Sequence, residues 1–376
     1  MNETIIAEEW KSIFGLTRVG ADDNFFELGG HSLLVMKLIA RLKKRFGVEV
    51  PFKTVFETPT VSALAKRVER IIKETEEKDQ VVLQVAPKAD YYPLSYAQES
   101  LWLVNRLDPD SSEYNELRAY RLEGKLNKGA LEQALNALLM RHEALRTRFL
   151  MIGGQAVQAV VKDMKIVLDE IDLSGSEEEE KENVAREIAA AERLRKFDLE
   201  KGPLLRGLLF KLGEDRHILV LLMHHIAIDG WSMGVLDRDL GKLYNAALRE
   251  EPADLPALPF QYVDYTMWQR EWMKGDKHAL QMAYWKEKLA DLTTLDLPTD
   301  YPRSAKQTNN GAIVFFDVPP EITKGILELC KREEATLFMG LLAAFDVLLH
   351  RYSSAVDITV GTAVASRKQE EIEGLI

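Results

Sequence analysis

The sequence predicts a multidomain protein in which a small all-α four-helix bundle precedes α/β lobes. Two observations predict this order. Between residues 5 and 72 apolar residues recur every three or four positions, as in amphipathic helices, whereas from residue 93 strand-like apolar runs alternate with helical patterns. Residues 77–92 follow neither pattern and indicate a linker. We therefore expect the bundle over residues 1–76, a first lobe over 93–270 and a second lobe over 271–376.

The helices of the bundle follow from their apolar spacing and from the residues at their starts. Ser32 and Thr60 stand where a side-chain oxygen can satisfy a free backbone amide of the following helix. Gly15 is suited to end the first helix. The predicted segments are Ile5–Phe14, Leu34–Phe46, Thr54–Glu57 and Val61–Ile72.

The α/β region is predicted from short apolar runs bounded by turn residues. In the first lobe the strands are Ala119–Leu122, Ala156–Val161, Ile166–Ile171, Leu204–Leu212 and His217–Met223, with helices over Ala130–Met140 and from Glu177 onward. The last two of these strands should form an antiparallel hairpin. In the second lobe the order is helix Leu280–Leu289, strand Ile313–Val318, helix Glu321–Lys331, a helix opened by Thr336, and strand Asp357–Val364.

Composition excludes several classes of function. A net charge of −11 argues against nucleic acid or an anionic membrane as a partner, because phosphate neutralisation needs clustered lysine and arginine. Cys330 is the single cysteine, so neither an internal disulfide nor a cysteine-based metal site is expected. The first residues lack the features of a signal peptide, and no apolar run reaches the roughly 18 residues of a membrane span. We expect a cytoplasmic protein.

The stretch Met223–Ser232 (MHHIAIDGWS) combines two histidines, a carboxylate and a glycine after an uninterrupted apolar run. The run Arg216–Met223 predicts a strand buried on both faces, and Ser232 is expected to cap the amphipathic helix that follows. Adjacent strand residues point to opposite faces, so His224 and His225 cannot both face one cavity. This argues against a metal site on the pair. One histidine should face the chemistry and the other the packing.

Two further residues of the stretch suit a positioned imidazole. Gly230 permits backbone angles that other residues resist, and Asp229 can fold back toward the turn. A histidine has an unperturbed pKa of about 6.5 and can take up a proton at cellular pH. Two core histidines at a strand end are the plain alternative, but the whole pattern at this junction favours a catalytic site.

His224–Gly230 resembles the active-site signature of condensation domains from non-ribosomal peptide synthetases. Four other segments resemble further motifs of that family in order: Ser95–Trp102, Arg141–Phe149, Tyr262–Tyr265 with Trp268–Gln269, and Val360–Arg367. Ser100 stands where the family usually has arginine, and Ala363 and Ser366 replace the commoner proline and asparagine. The resemblance implies chloramphenicol-acetyltransferase-like lobes that form a V around the histidine motif, with the second lobe only partly present in residues 271–376.

The resemblance also implies a reaction and roles in it. The amine of one carrier-bound aminoacyl group would attack the thioester carbonyl of another carrier-bound chain and form an amide bond. Within the catalytic signature of His224, His225, Asp229 and Gly230, His225 would take the proton of the amine or hold the amine and the tetrahedral intermediate by hydrogen bonds.

Two residues are expected to support the active site. Asp229 needs a cationic partner, and Arg146 is the candidate because the family uses its counterpart in that way. Gly230 should keep the backbone close to the reacting centre. Trp231 should pack the wall of the tunnel.

Leu28–Leu33 (LGGHSL) resembles the attachment motif of peptidyl carrier proteins, in which the serine is modified by 4'-phosphopantetheine. Taken alone, Ser32 would be a helix cap. The physics is compatible with attachment, because glycines leave the hydroxyl accessible and a phosphodiester at a helix N-terminus meets free amides. No role follows for His31.

The implied partners are an upstream adenylation domain, a downstream acceptor carrier domain and a phosphopantetheinyl transferase, all within or acting on a larger modular synthetase. A coenzyme A-dependent acyltransferase is an alternative, although the carrier unit argues against it. Relatives that epimerise or cyclise are further alternatives, of which the cyclising one is disfavoured because it would carry aspartate at His224 or His225. A catalytically inactive docking module stays open, since Ser100 departs from the pattern and the second lobe is incomplete. The carrier motif mildly favours an L-configured donor.

Overall fold

The computed structural model describes residues 2–30, 32–76, 82–302, 311–333, 335–364, 367 and 370–376. The chain divides into two compact units, one of Met1–Gln80 with Asp291–Val360 and the other of Val81–Ala290 with Gly361–Ile376. His31 and residues 77–81 of the expected linker lie outside the described residues, as does the side chain of Ser32.

The N-terminal bundle has the four predicted helices: α1 (Asn2–Phe14), α2 (Ser32–Phe46), α3 (Phe52–Glu57) and α4 (Val61–Glu76). Their apolar faces share one core, in which Trp10 and Phe25 are fully buried. The two rings meet edge to face at 5.0 Å between centroids, a favoured aromatic geometry. The helical spacing in the sequence therefore predicted this unit correctly.

The described residues of the second unit form two sheets. The strands are β1 (Tyr92–Pro93), β2 (Asn115–Glu123), β3 (Thr147–Ile152), β4 (Gln155–Val160), β5 (Leu168–Asp172), β6 (Leu205–Lys211) and β7 (Arg216–His224). One sheet has the order β1-β4-β3 and the other β2-β7-β6-β5. β6 and β7 form the predicted antiparallel hairpin, with Leu205 opposite Met223 and Lys211 opposite His217. β7 is an inner strand, which explains its uninterrupted apolar run.

In the described part of the chain, six helices accompany these sheets: α5 (Tyr96–Leu107), α6 (Lys128–Arg141), α7 (Lys181–Arg193), α8 (Gly230–Arg249), α9 (Tyr262–Trp272) and α10 (Asp276–Lys288). A 3-10 turn over Glu143–Arg146 leads into β3. Leu135 of α6, Leu221 of β7 and Leu236 of α8 are fully buried in one apolar core. This core fixes the end of β7 against the start of α8.

The C-terminal part departs from the prediction. Its helices form as α11 (Pro320–Arg332) and α12 (Leu337–Ser353), with Thr336 capping α12 through the amide of Met339. The strands predicted over Ile313–Val318 and Asp357–Val364 are absent from the described residues. A strand needs a neighbour for its backbone N–H and C=O groups, and these segments have none in the described part of the chain. Phe315 is accordingly 89% exposed.

Among the described helices, none is by itself long and apolar enough to cross a bilayer. α11 and α12, bent by 110° at the break between them, reach that length and composition only together.

Candidate active site

The end of β7 presents the two histidines. The side chains from Leu219 to His224 are buried, and His224 pairs with Asn115 of β2. Immediately beyond the strand, the His225 amide donates to the carbonyl of Tyr114 at 2.9 Å. The chain then turns, with the amide of Ala227 donating to the carbonyl of His224. Both imidazoles therefore stand on a backbone held by β2.

His224 lies in the packing. It is 4% exposed, its Nδ1 accepts a hydrogen bond from the amide of Ile226 at 3.1 Å, and its ring meets that of Phe197 edge to face at 6.1 Å. Burial, with a smaller contribution from His225, lowers the pKa of His224 from 6.5 to about 4. His224 is therefore neutral at cellular pH.

His225 has a different environment. It is half-buried, and its Nδ1 lies 2.7 Å from the carbonyl oxygen of Ile228. A carbonyl oxygen only accepts hydrogen bonds, so Nδ1 must carry the proton. In the neutral ring Nε2 then keeps a free lone pair, and no partner of Nε2 is found among the described residues. The turn after β7 thus selects one tautomer of His225.

His225 borders a cavity of about 140 Å³. Its wall contains the side chains Ala97, Gln98, Leu101, His225, Ile226, Ala227, Ile228, Asp229, Ser232, Tyr262, Arg367 and Ile376. The polar members come from α5, the turn after β7, α8, α9 and the C-terminal segment. One water molecule occupies about 30 Å³ in the liquid. The cavity therefore has room for a few water molecules or for one small functional group.

Asp229 is the N-cap of α8. Its carboxylate accepts from the amide of Ser232 at 2.8 Å and from the Ser232 hydroxyl at 2.7 Å, while its own amide donates to that hydroxyl. The expectation that Ser232 caps the helix is therefore wrong, because Ser232 is the third residue of the helix and closes a capping box. Gly230 is the first helical residue and does not have a positive φ. The special backbone angle expected there is also wrong.

The cationic partner of Asp229 is Arg367. Nη2 of Arg367 lies 3.2 Å from both carboxylate oxygens, and Nη1 donates to the carbonyls of Ile372 and Leu375. Burial opposes ionisation of Asp229, but the hydrogen bonds of Ser232 and the charge of Arg367 outweigh it and hold the pKa below its usual value. Arg367 thereby ties the C-terminal segment to the start of α8.

The predicted contact between Asp229 and Arg146 is wrong. Arg146 ends the 3-10 turn before β3, where it donates to the carbonyl of Val161 at 2.6 Å and pairs with Glu143 at 3.1 Å. These local acceptors engage Nη1 and Nη2 of its guanidinium. Arg367 is the last residue of the motif segment Val360–Arg367. Its partner Asp229 lies 138 positions away in the chain, and residue spacing does not predict such a distant contact.

The carrier motif surrounds the start of α2, whose first residue is Ser32. Gly29 has φ +95°, which favours glycine. A Cβ on Gly30 would lie 2.2 Å from the ring of Phe25 and 2.4 Å from its carbonyl oxygen. Gly29 thus suits the backbone conformation, and Gly30 leaves room for Phe25. These roles come in addition to the accessibility of the Ser32 hydroxyl for which the glycines were expected. The backbone position of Ser32 at a helix N-terminus fits a phosphodiester, which free amides there would bind.

A family model for the Condensation domain matches residues 88–376, and one for the Phosphopantetheine attachment site matches residues 4–68. The chain belongs to the condensation domain family. It also carries a phosphopantetheine attachment site, as the carrier motif predicted, and this implies a covalent 4'-phosphopantetheine.

The relatives of this condensation domain chain include very long synthetases. It is 43% identical over 375 residues to one component of the Linear gramicidin synthase of Brevibacillus parabrevis, and 38% identical over 375 residues to Malpinin synthetase of Mortierella alpina. Both alignments cover 100% of this chain and 5% of the relative. The chain thus spans a small fraction of these proteins.

Solved structures confirm the predicted fold class. The SgcC5 protein from Streptomyces globisporus matches with a TM-score of 0.62 and 31% identity, over 75% of this chain and 65% of that one. The X-domain from teicoplanin biosynthesis matches with a TM-score of 0.71 and 26% identity, over 78% of this chain and 65% of that one.

Trp231 does not pack where it was expected. Trp231 is not among the residues that line the cavity at His225. Its side chain is 43% exposed, and Nε1 donates to the carbonyl of Glu373 at 2.9 Å. It therefore anchors the same C-terminal segment that Arg367 holds.

The described part of the linker lies against the condensation domain. The amide of Ala86 donates to Asp264 of α9 at 2.6 Å, and the hydroxyl of Tyr92 donates to the carbonyl of Pro87 at 3.1 Å. Residues 82–89 have neither helical nor strand structure. The second half of the linker thus adheres to the domain that follows it, as an extended segment would.

Sequence reasoning gave no role to two residues of the cavity wall, Gln98 and Tyr262. Both occur in segments that carry the family resemblance, Ser95–Trp102 and Tyr262–Tyr265. Both side chains line the cavity because α5 and α9 pack together, which the sequence does not show. The sequence could single them out only as members of these two motifs. Among the described residues, no group of three or more histidine, cysteine, aspartate or glutamate side chains could hold a metal ion.

Proposed function

We propose that this chain is a peptidyl carrier joined to a condensation domain that forms amide bonds between carrier-bound substrates of a non-ribosomal peptide synthetase. The observation that carries the proposal is His225, which borders a cavity and whose Nδ1 is held by the carbonyl of Ile228. The family and the synthetase relatives support the same reaction. No observation favours the coenzyme A-dependent acyltransferase or the inactive docking module.

In this reaction the amine nitrogen of the acceptor attacks the thioester carbonyl carbon of the donor. The new C–N bond forms, the carbonyl oxygen becomes an oxyanion, and the C–S bond then breaks. His225 Nε2 takes the proton of the attacking amine and passes it to the departing thiolate. Both substrates arrive on tethers, so orientation supplies much of the acceleration.

The remaining signature residues have supporting roles in the proposal. His224 packs behind His225, and Asp229 fixes the start of α8 through Ser232 and Arg367. Gly230 leaves open space where a Cβ would stand, which keeps the first turn of α8 accessible. Arg146 supports the lobe through Glu143 and Val161 rather than through Asp229. Trp231 holds the C-terminal segment through its hydrogen bond to the carbonyl of Glu373.

Ser32 is the proposed attachment residue. When bound, 4'-phosphopantetheine supplies the thiol that carries an aminoacyl or peptidyl group as a thioester. A phosphopantetheinyl transferase would load it, an upstream adenylation domain would charge it, and a downstream carrier domain would supply the acceptor. The expected organisation remains a carrier over 1–76, a linker over 77–92 and condensation lobes over 93–270 and 271–376, in a cytoplasmic synthetase.

The catalytic proposal is tested with the full-length synthetase that contains this chain, by following condensation of donor and acceptor thioesters. His225→Ala should lower the rate about 100-fold or more, since general base catalysis contributes roughly 10²–10⁴. His278→Ala, at the start of α10, serves as the matched histidine control and should turn over normally. Wild-type turnover by His225→Ala would refute the assignment.

The carrier proposal is tested by intact-protein mass after incubation with a phosphopantetheinyl transferase and coenzyme A. The wild-type chain should gain the mass of one phosphopantetheine arm, and Ser32→Ala should gain none. Ser62→Ala, which alters a serine near the start of α4, should be loaded like the wild type. Loading of Ser32→Ala would place the attachment elsewhere.

A further inference from the structure

A buried chain of polar groups lies behind the cavity wall, beginning at the start of α5. Ser95 is completely buried and is the N-cap of α5. Its hydroxyl oxygen accepts from the amide of Gln98 at 3.2 Å, and its own amide donates to Gln98 Oε1 at 2.9 Å. Gln158 of β4 donates to the same Oε1 at 3.1 Å. Ser95 and Gln98 are thus held from several directions.

The hydroxyl of Ser95 reaches Tyr262 of α9, with 3.0 Å between Oγ and Oη. The direction of this hydrogen bond follows from the other contact of Ser95. The amide of Gln98 can only donate, so Tyr262 Oη is the sole acceptor for the Ser95 O–H within the described part of the chain. A buried hydroxyl without an acceptor costs about 1–3 kcal/mol. Ser95 is completely buried and does not line the cavity, whereas Tyr262 does and can turn its O–H into it, so Ser95 donates and Tyr262 accepts.

The O–H of Tyr262 is then left without an acceptor among the described residues, while Tyr262 lines the cavity that His225 borders. We infer that Tyr262 is a catalytic hydrogen-bond donor, which binds the thioester carbonyl oxygen of the donor substrate as that oxygen becomes negatively charged. Ser95 is its positioning residue. This role rests on the proposed function, and it assigns to the Tyr262 hydroxyl the stabilisation of the oxyanion that forms in the proposed reaction.

The chemistry of Tyr262 suits this role. Burial raises its pKa to about 12, against an opposing contribution from Ser95, so the phenol is protonated at cellular pH. Donors in a chain polarise one another, so acceptance from Ser95 strengthens the outgoing bond of Tyr262. No proton is transferred in this step. Tyr262 donates a hydrogen bond to the oxyanion while His225 handles the proton of the amine.

The test uses Tyr262→Phe in the full-length synthetase, with Tyr265→Phe as the matched control. Tyr265 lies one turn further along α9 and its ring packs against that of Tyr262 in a tilted arrangement, but its hydroxyl accepts from Gln269 and Tyr265 is outside the cavity lining. Tyr262→Phe should lower kcat about 100-fold with KM unchanged, as loss of one oxyanion donor does. Tyr265→Phe should keep wild-type kcat.

Ser95→Gly separates positioning from folding, because glycine is nearly as good an N-cap as serine but has no hydroxyl. It should lower kcat by less than Tyr262→Phe, and the double variant should be no slower than Tyr262→Phe alone. Wild-type kcat in Tyr262→Phe, equal losses in both tyrosine variants, or a loss confined to KM would each overturn the inference. If His225→Ala is inactive in the same assay, the proposed function survives that result; an active His225→Ala would contradict the proposed function instead.

Discussion

At the scale of single residues, His224 and His225 are neighbours in the chain and have opposite environments. The first is sealed against Phe197, and the second borders the cavity with its tautomer selected by Ile228. Strand alternation predicted this division but not which histidine faces which side. That assignment depends on β2 and on the turn after β7.

The environment of His224 makes stability depend on pH. The native pKa of about 4 lies below the unfolded value of 6.5, so the unfolded state binds more protons between these values. The free energy of unfolding should therefore fall as pH decreases from about 6.5 to 4, by up to about 3 kcal/mol for this group. Denaturant titrations across this range measure the change.

His224→Asn is the matched variant, because its side-chain oxygen can still accept from the amide of Ile226. It should lose most of this pH dependence. A smaller slope should persist, since burial also lowers the pKa of His142. Identical slopes in the variant and the wild type would show that His224 is not the titrating group.

Asp229 and Arg367 form the ion pair that replaces the predicted one. A double-mutant cycle with Asp229→Asn and Arg367→Gln should give a coupling energy of about 1 kcal/mol, modest because the Asp229 side chain is 40% exposed. The same cycle with Arg146→Gln should give a coupling near zero. Stronger coupling to Arg146 than to Arg367 in denaturation measurements would contradict the structure.

At the scale of elements, most helices were predicted well, although α5 and α9 were not, and isolated strands were predicted poorly. The end of α1 and the starts of α4 and α12 follow from apolar spacing and caps, which are local properties. A strand depends on a neighbour that its own residues do not encode, and Ile313–Val318 lacks one among the described residues. Its apolar side chains are consequently exposed.

The loop before α2 should tolerate no side chain at Gly30. Gly30→Ala would bring Cβ to 2.2 Å from the fully buried ring of Phe25 and should cost the carrier about 1–3 kcal/mol. Thermal unfolding of the carrier helices measures this loss. Gly241→Ala, in α8 with open space around the added Cβ, is the control and should leave the carrier transition unchanged. An unshifted carrier transition in Gly30→Ala would contradict the packing around Phe25.

At the scale of the whole molecule, the carrier and the condensation domain have separate cores. The apolar cluster of the carrier draws only on residues 6–72, and that of the condensation domain contains residues 94–244 with Ile376. The carrier and the condensation domain therefore each have their own source of stability. Ile376 packs in the condensation core, and Arg367 pairs with Asp229 at the start of α8.

The amino-acid sequence by itself determined that the carrier precedes the condensation domain, and it determined the helices of the carrier and the β6–β7 hairpin. It also determined that one histidine of the pair His224 and His225 faces the site and the other the packing. These follow from periodicity and from motifs, which are local. Only the tertiary structure decided that Arg367 rather than Arg146 meets Asp229, that Asp229 rather than Ser232 caps α8, and that Ser95, Gln98 and Tyr262 converge behind the cavity. The contacts of Arg367 with Asp229 and of Ser95 with Tyr262 join residues more than a hundred positions apart, and their geometry is set by how α5, α8, α9 and the C-terminal segment pack. The cap of α8 is a local contact, but two neighbouring residues could have formed it and the sequence did not distinguish them.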